Sequence, residues 1–224
     1  MNTHIWTLLG EAFDKTARLL GLPVGGGGGP AVEKLARLGD PKSIPLPVPM
    51  QKRKDCDFSY AGLKTSVRTN VDKLLKERAL ANGHDVDTID TSENRFEELT
   101  EEDKANIAAS FQNVAIRHIE DRLNRAMTQI EEEENNISLT EKKQIRTLAV
   151  VGGVAANTEL RTRLQALCDK RNDPWSMHVP PPRLCTDQGS MAAWAAIERL
   201  MVGSSDEPKG HDVYARYPFS DVSN

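Results

Sequence analysis

Apolar residues recur at helical spacing in several stretches of this chain and alternate only rarely, so the pattern predicts helices joined by short extended pieces. Ala12, Phe13, Ala17, Leu19 and Leu20 place a helix over Glu11–Leu20, with Gly21 as its stop. A second helix is expected over Ala31–Leu38, after five consecutive glycines that read as a flexible linker. The prolines between Ile44 and Met50 predict an edge strand or extended loop. Asp57 to Arg68 starts strand-like and becomes helical to about Ala81. Ile107, Phe111, Val114, Ile119, Leu123 and Met127 mark a long helix from Glu101 to Glu131. The charge run Glu131–Glu134 that ends it reads as an exposed face.

The last part of the pattern is strand–helix–strand–helix. Leu148–Val151 is a short buried strand, Thr158–Asp169 a helix, Met177–Val179 a strand and Ser190–Val202 a final helix. The order gives an α/β chain that is helix-rich and poor in strands for its 224 residues. Residues 82–101 are polar and read as an insertion. Residues 203–224 form a polar tail with an aromatic knot at Tyr214, Tyr217 and Phe219.

Charge narrows the function. With a net charge of −4, general electrostatic binding of nucleic acid is disfavoured, although Gln51-Lys-Arg-Lys54 with Lys64 and Arg68 forms a local basic strip. Three widely spaced cysteines, Cys56, Cys168 and Cys185, predict a reducing compartment and no structural zinc. Cys185 reads as a small buried packing residue. No apolar run approaches the ~18 residues of a membrane span. The first ten residues have neither signal- nor transit-peptide character.

The chemistry concentrates in two strand- or loop-to-helix junctions. In Thr147-Leu-Ala-Val-Val-Gly-Gly-Val-Ala-Ala-Asn157, Gly152 and Gly153 clear the backbone of side chains just before a helix start with free N–H donors. Asn157 is either a helix cap or a ligand contact. Thirty residues on, Leu184-Cys-Thr-Asp-Gln-Gly-Ser190 places Asp187 at the mouth of the last helix, where a carboxylate suits the helix dipole or a metal. The pair suggests a nucleotide site with an anionic neighbour.

Six motifs in order carry a resemblance: Gly10-Glu-Ala-Phe-Asp-Lys-Thr16, Gly28-Gly-Pro30, Asp57-Phe-Ser-Tyr-Ala-Gly-Leu-Lys-Thr65, Ile107-Ala-Ala-Ser-Phe-Gln112, Gly152-Gly-Val-Ala-Ala-Asn157 and Cys185-Thr-Asp187. From Gly10 to about Leu200 the chain resembles the tRNA N6-threonylcarbamoyladenosine synthase family (TsaD, formerly called glycoproteases), in its bacterial and organellar branch. The resemblance implies the two-lobed actin/Hsp70/sugar-kinase (ASKHA) fold. It implies transfer of threonylcarbamoyl from threonylcarbamoyl-AMP to N6 of adenosine 37 in tRNAs reading codons that begin with A. By the same resemblance Asp14, Gly29, Gly152, Gly153 and Asn157 bind the nucleotide. Asp187 is a ligand of one divalent metal ion, iron or zinc. A homodimer or family partner subunits and a mitochondrial location are implied, with a plastid or a bacterial cytoplasm as alternatives, and no membrane association.

Two family features are missing. No pair among His4, His84, His118, His178 and His211 has the family's His-x-x-x-His spacing, and Ile5-Trp-Thr-Leu-Leu9 stands where that family has Asp-Asp-Ala. Residues 1–9 are therefore expected to be a divergent N-terminus and 10–202 the C-terminal part of the domain, with most of the first lobe missing. One carboxylate does not make a metal site, which needs three or more protein ligands. The expected outcome is an acyltransferase by family whose activity in this chain alone is weak or absent. The competing reading is a non-catalytic nucleotide-binding or dimerising partner lobe. A metalloprotease is disfavoured because His-Glu-x-x-His is absent.

Overall fold

The computed structural model describes residues 5–25, 27–82, 98–135, 145–185 and 189–204. In chain order they form α1 (Ile5–Leu19), α2 (Gly28–Ala36), α3 (Ala61–Ala81), α4 (Glu101–Asn135), β1 (Thr147–Ala149), α5 (Thr158–Asp169), β2 (Ser176–His178) and α6 (Gly189–Met201). Short 3-10 turns at Gly153–Ala156 and Pro182–Leu184 punctuate the last third. The chain divides into two units at residues 186/187. α6 belongs to the second and stands as a helix of 13 residues.

The first unit is built on α4. Helices α1, α2 and α3 pack with it around Phe13, Ala17, Leu20, Val32, Leu63, Val67, Ile107 and Phe111, all at most 3% exposed. Phe13 and Phe111 meet edge to face at 5.0 Å between ring centroids, which joins α1 to α4. Thr100 and Asp103 cap the start of α4 reciprocally: Asp103 N–H donates to Thr100 Oγ1 at 3.1 Å, and Thr100 N–H donates to Asp103 Oδ2 at 2.9 Å.

β1 and β2 are parallel, in the register Thr147↔Ser176, Leu148↔Met177 and Ala149↔His178, with α5 as the crossover. A second small core of Met127, Cys168 and Trp175 lies beneath them with Leu148 and Met177 against it.

The structure departs from the sequence reading in several places. α1 begins at Ile5, not Glu11, so the divergent N-terminal residues continue the helix. α2 begins at Gly28, so the last two glycines of the run are helical and not linker. Residues 57–60 form no strand, whereas residues 44–50 take the loop, one of their two expected forms. The acidic run also differs from an exposed face. Glu134 is 6% exposed and accepts from Ile145 N–H and Arg146 Nη1, each at 2.7 Å, while Glu131 accepts from Trp175 Nε1 at 2.9 Å. These carboxylates fasten the end of α4 to the start of β1 and to the second core. Most of the polar insertion and the aromatic knot of the tail lie outside the described residues.

Candidate nucleotide site

Gly152 sits at φ 87°, a conformation that a side chain would strain. It reverses the chain after β1 and delivers the 3-10 turn Gly153–Ala156, which packs against α1 through buried Ala155. A Cβ built on either Gly152 or Gly153 would meet no atom within 4 Å. The turn therefore offers bare backbone to open space, as the sequence predicts.

Asn157 ends the turn and caps α5. Its Oδ1 accepts from Leu160 N–H at 2.8 Å, and its Nδ2 donates to Gln112 Oε1 at 3.0 Å. With these two bonds made, the side chain, only 8% exposed, retains one Nδ2 hydrogen and one Oδ1 lone pair. Of its two sequence readings, the helix cap is the one the fold makes.

Asp14 projects from α1 to the start of α2. The N-cap of α2 is Gly27, which has no side chain to offer. Asp14 supplies the missing acceptor from the neighbouring helix: Gly28 N–H donates to its Oδ1 at 2.6 Å. The glycine that this contact requires is Gly28. A Cβ there would stand 2.6 Å from Ala17 Cβ and 2.9 Å from Asp14 Cα, whereas one on Gly29 would meet nothing within 4 Å. Gly28 and Gln112 are the residues that sequence reasoning left without a role, although both lie inside motifs it singled out. A glycine pair before Pro30 marks a close helix approach, and a glutamine on the buried stripe of α4 marks a polar partner.

Glu33 of α2 adds a tie to the same region. Its Oε1 accepts from Thr158 N–H, the first helical donor of α5, at 3.0 Å. The structure thus brings Asp14, Gly28 and Gly29 on one side, and Gly152, Gly153 and Asn157 on the other, onto neighbouring elements. Asp187 lies outside the described residues. Among the described residues no three His, Cys, Asp or Glu side chains converge as a metal site. Cys185 is fully buried, its thiol directed at the carbonyls of Pro180 and Pro181, in keeping with a packing role.

The basic strip has a defined frame. Arg122 of α4 is wholly buried and donates through Nη1 to the carbonyls of Arg53 at 2.8 Å and Asp55 at 2.6 Å, and through Nη2 to that of Met50. Gln51 to Lys54 are exposed on the loop it holds. Arg53 is engaged by Asp55 and Asp57.

Comparison with known proteins decides the family. The profile described as "TsaD: tRNA N6-adenosine threonylcarbamoyltransferase" matches residues 1–194. The chain belongs to this family. It is 41% identical over 209 residues to the probable mitochondrial tRNA N6-adenosine threonylcarbamoyltransferase of Arabidopsis thaliana, covering 93% of this chain and 39% of that protein. It is 39% identical over 216 residues to the tRNA N6-adenosine threonylcarbamoyltransferase of Rhizobium leguminosarum, covering 96% and 51%. With that of Agrobacterium fabrum it shares 42% over 201 residues, covering 90% and 47%. The chain therefore spans about half the length, or less, of these curated relatives. These relatives bear the name of threonylcarbamoyltransferases. No helix among the described residues is long and apolar enough to cross a membrane.

Proposed function

We propose that this chain provides the nucleotide-holding part of a tRNA N6-adenosine threonylcarbamoyltransferase of ASKHA fold, residues 10–202 forming the C-terminal part of the domain. One observation carries the reading: the bare Gly152–Gly153 backbone, edged by Asn157, stands against the helix that bears Asp14. In the reaction so proposed, the N6 amine of adenosine 37 attacks the carbamoyl carbon of threonylcarbamoyl-AMP and AMP leaves. The described residues contribute binding and orientation. Backbone N–H groups of the glycine turn face the phosphate, and the retained Nδ2 hydrogen of Asn157 meets the nucleotide. Asp14 and Gly29 line the same ligand.

The divalent metal belongs to the proposed whole enzyme. The described residues do not fit it, since no three donors converge among them. A mitochondrial location follows the plant relative's printed name, whereas the Rhizobium and Agrobacterium relatives are bacterial. tRNA and a second subunit, or a second copy of the chain, are the proposed partners.

Titration of the purified chain with AMP and with threonylcarbamoyl-AMP tests the site. Saturable binding is expected, and Asn157→Ala is expected to weaken it at least tenfold. A folded wild-type chain that binds neither compound at millimolar concentration would overturn the proposal. Binding without any transfer to tRNA, even with partner subunits supplied, would favour the non-catalytic partner lobe.

A further inference from the structure

The motif Ile107–Gln112 places one amide side chain on the inward stripe of α4. Gln112 is 7% exposed, and its bond to Asn157 Nδ2 fixes more than distance. A backbone N–H can only donate, so Leu160 N–H forces Asn157 to present its oxygen to α5. That turns Asn157 Nδ2 toward Gln112, which must answer with Oε1. The polarity of the whole relay is thereby set from the helix start outward. Removing the acceptor at Gln112 would leave Asn157 held at its oxygen alone, with both Nδ2 hydrogens undirected.

We infer that Gln112 is a positioning residue for Asn157: it takes one Nδ2 hydrogen so that the other points in a single direction, toward the nucleotide. This rests on the nucleotide reading above. Gln112 acts on the side chain, whereas Glu33 holds the backbone of the same helix start through Thr158 N–H at 3.0 Å. The two supports are distinct. Gln112 also borders a cavity of about 410 Å³ with Glu33, Arg37, Asn113, Thr158 and Glu159, so a change in its end group need not overpack the core.

The test compares Gln112→Leu, which keeps bulk and loses the acceptor, with Gln112→Glu, which keeps an acceptor. AMP affinity of the full chain is measured by calorimetry at a temperature where circular dichroism shows each variant folded. The expected result is about a tenfold loss for the Leu variant, the weight of one well-placed hydrogen bond, and a change of less than about threefold for the Glu variant. Equal losses in both would reduce Gln112 to packing and overturn the inference. So would an unchanged affinity in the Leu variant while the wild type binds AMP. A wild type that does not bind AMP would overturn the nucleotide reading itself. Should the Leu variant fail to fold, the Asn157 side-chain NH2 signals in nitrogen-15 NMR spectra of the wild type decide: one hydrogen slow to exchange and a shift on adding AMP are expected. No shift at saturating AMP would overturn the inference.

Discussion

At the scale of single residues, His118 shows how burial sets chemistry. It lies fully buried on α4 between the edges of Phe58 and Tyr60, and its Nε2 faces Ser59 N–H at 3.5 Å. Desolvation, aided by the positive charge of Arg122 and only partly opposed by Asp121, depresses its pKa from 6.5 to about 4. The folded chain thus holds His118 neutral where the unfolded chain begins to bind a proton. Its contribution is complete above about pH 6.5 and is lost as pH falls toward about 4, up to about 3 kcal/mol in all. Urea unfolding between pH 7 and 4 is expected to show this decline, and His118→Gln is expected to flatten it. An identical slope in the variant would assign the acid sensitivity elsewhere. Asp103, held low by Thr100 and Arg78 against the opposing effect of burial, loses its contribution only at lower pH, so the two windows separate.

Elements were legible where their signal is local. α5 matches its predicted bounds, Thr158–Asp169, because an asparagine cap and three leucines on one stripe specify it without help from elsewhere. The start of α2 was not legible, because its cap comes from Asp14, fourteen residues earlier and on another helix. Nor was the role of Glu134, since nothing in a run of four glutamates says which one meets Arg146 and Ile145. Of the candidate site, the bare glycine turn could be read from Gly152-Gly153, and Gln112 on the buried stripe asked for a polar partner, but nothing local says that the partner is Asn157, 45 residues away. The α1–α2 contact yields a sharp contrast. Gly28→Ala forces a methyl group against Ala17 Cβ and the Asp14 backbone, neither of which can yield by rotating a side chain. Overpacking of this kind costs about 1–3 kcal/mol. Gly29→Ala, with open space around it, is expected to leave the thermal midpoint unchanged or slightly raised. Equal effects of the two substitutions would mean that the helices do not approach as closely as Gly28 requires.

For the whole molecule, the question is how much of the reaction these residues can perform. Acyl transfer from a mixed anhydride to an adenine amine gains most from holding both substrates in one geometry and from excluding water around the reacting carbon. The glycine turn does the opposite of enclosing: it faces open space, and no donor set that could grip a metal converges among the described residues. The relatives that bear the transferase name carry about as much chain again, or more. Net charge adds to this, because −4 overall disfavours general attraction of a tRNA backbone beyond local features such as the exposed loop at residues 51–54, framed by Arg122. Binding of the nucleotide and turnover should therefore separate. Supplied with threonylcarbamoyl-AMP and tRNA, the purified chain is expected to bind the nucleotide while transfer stays at the rate of the protein-free control. Modified adenosine, quantified by mass spectrometry of digested tRNA, reads the second quantity directly. Robust transfer would show instead that this chain suffices for catalysis.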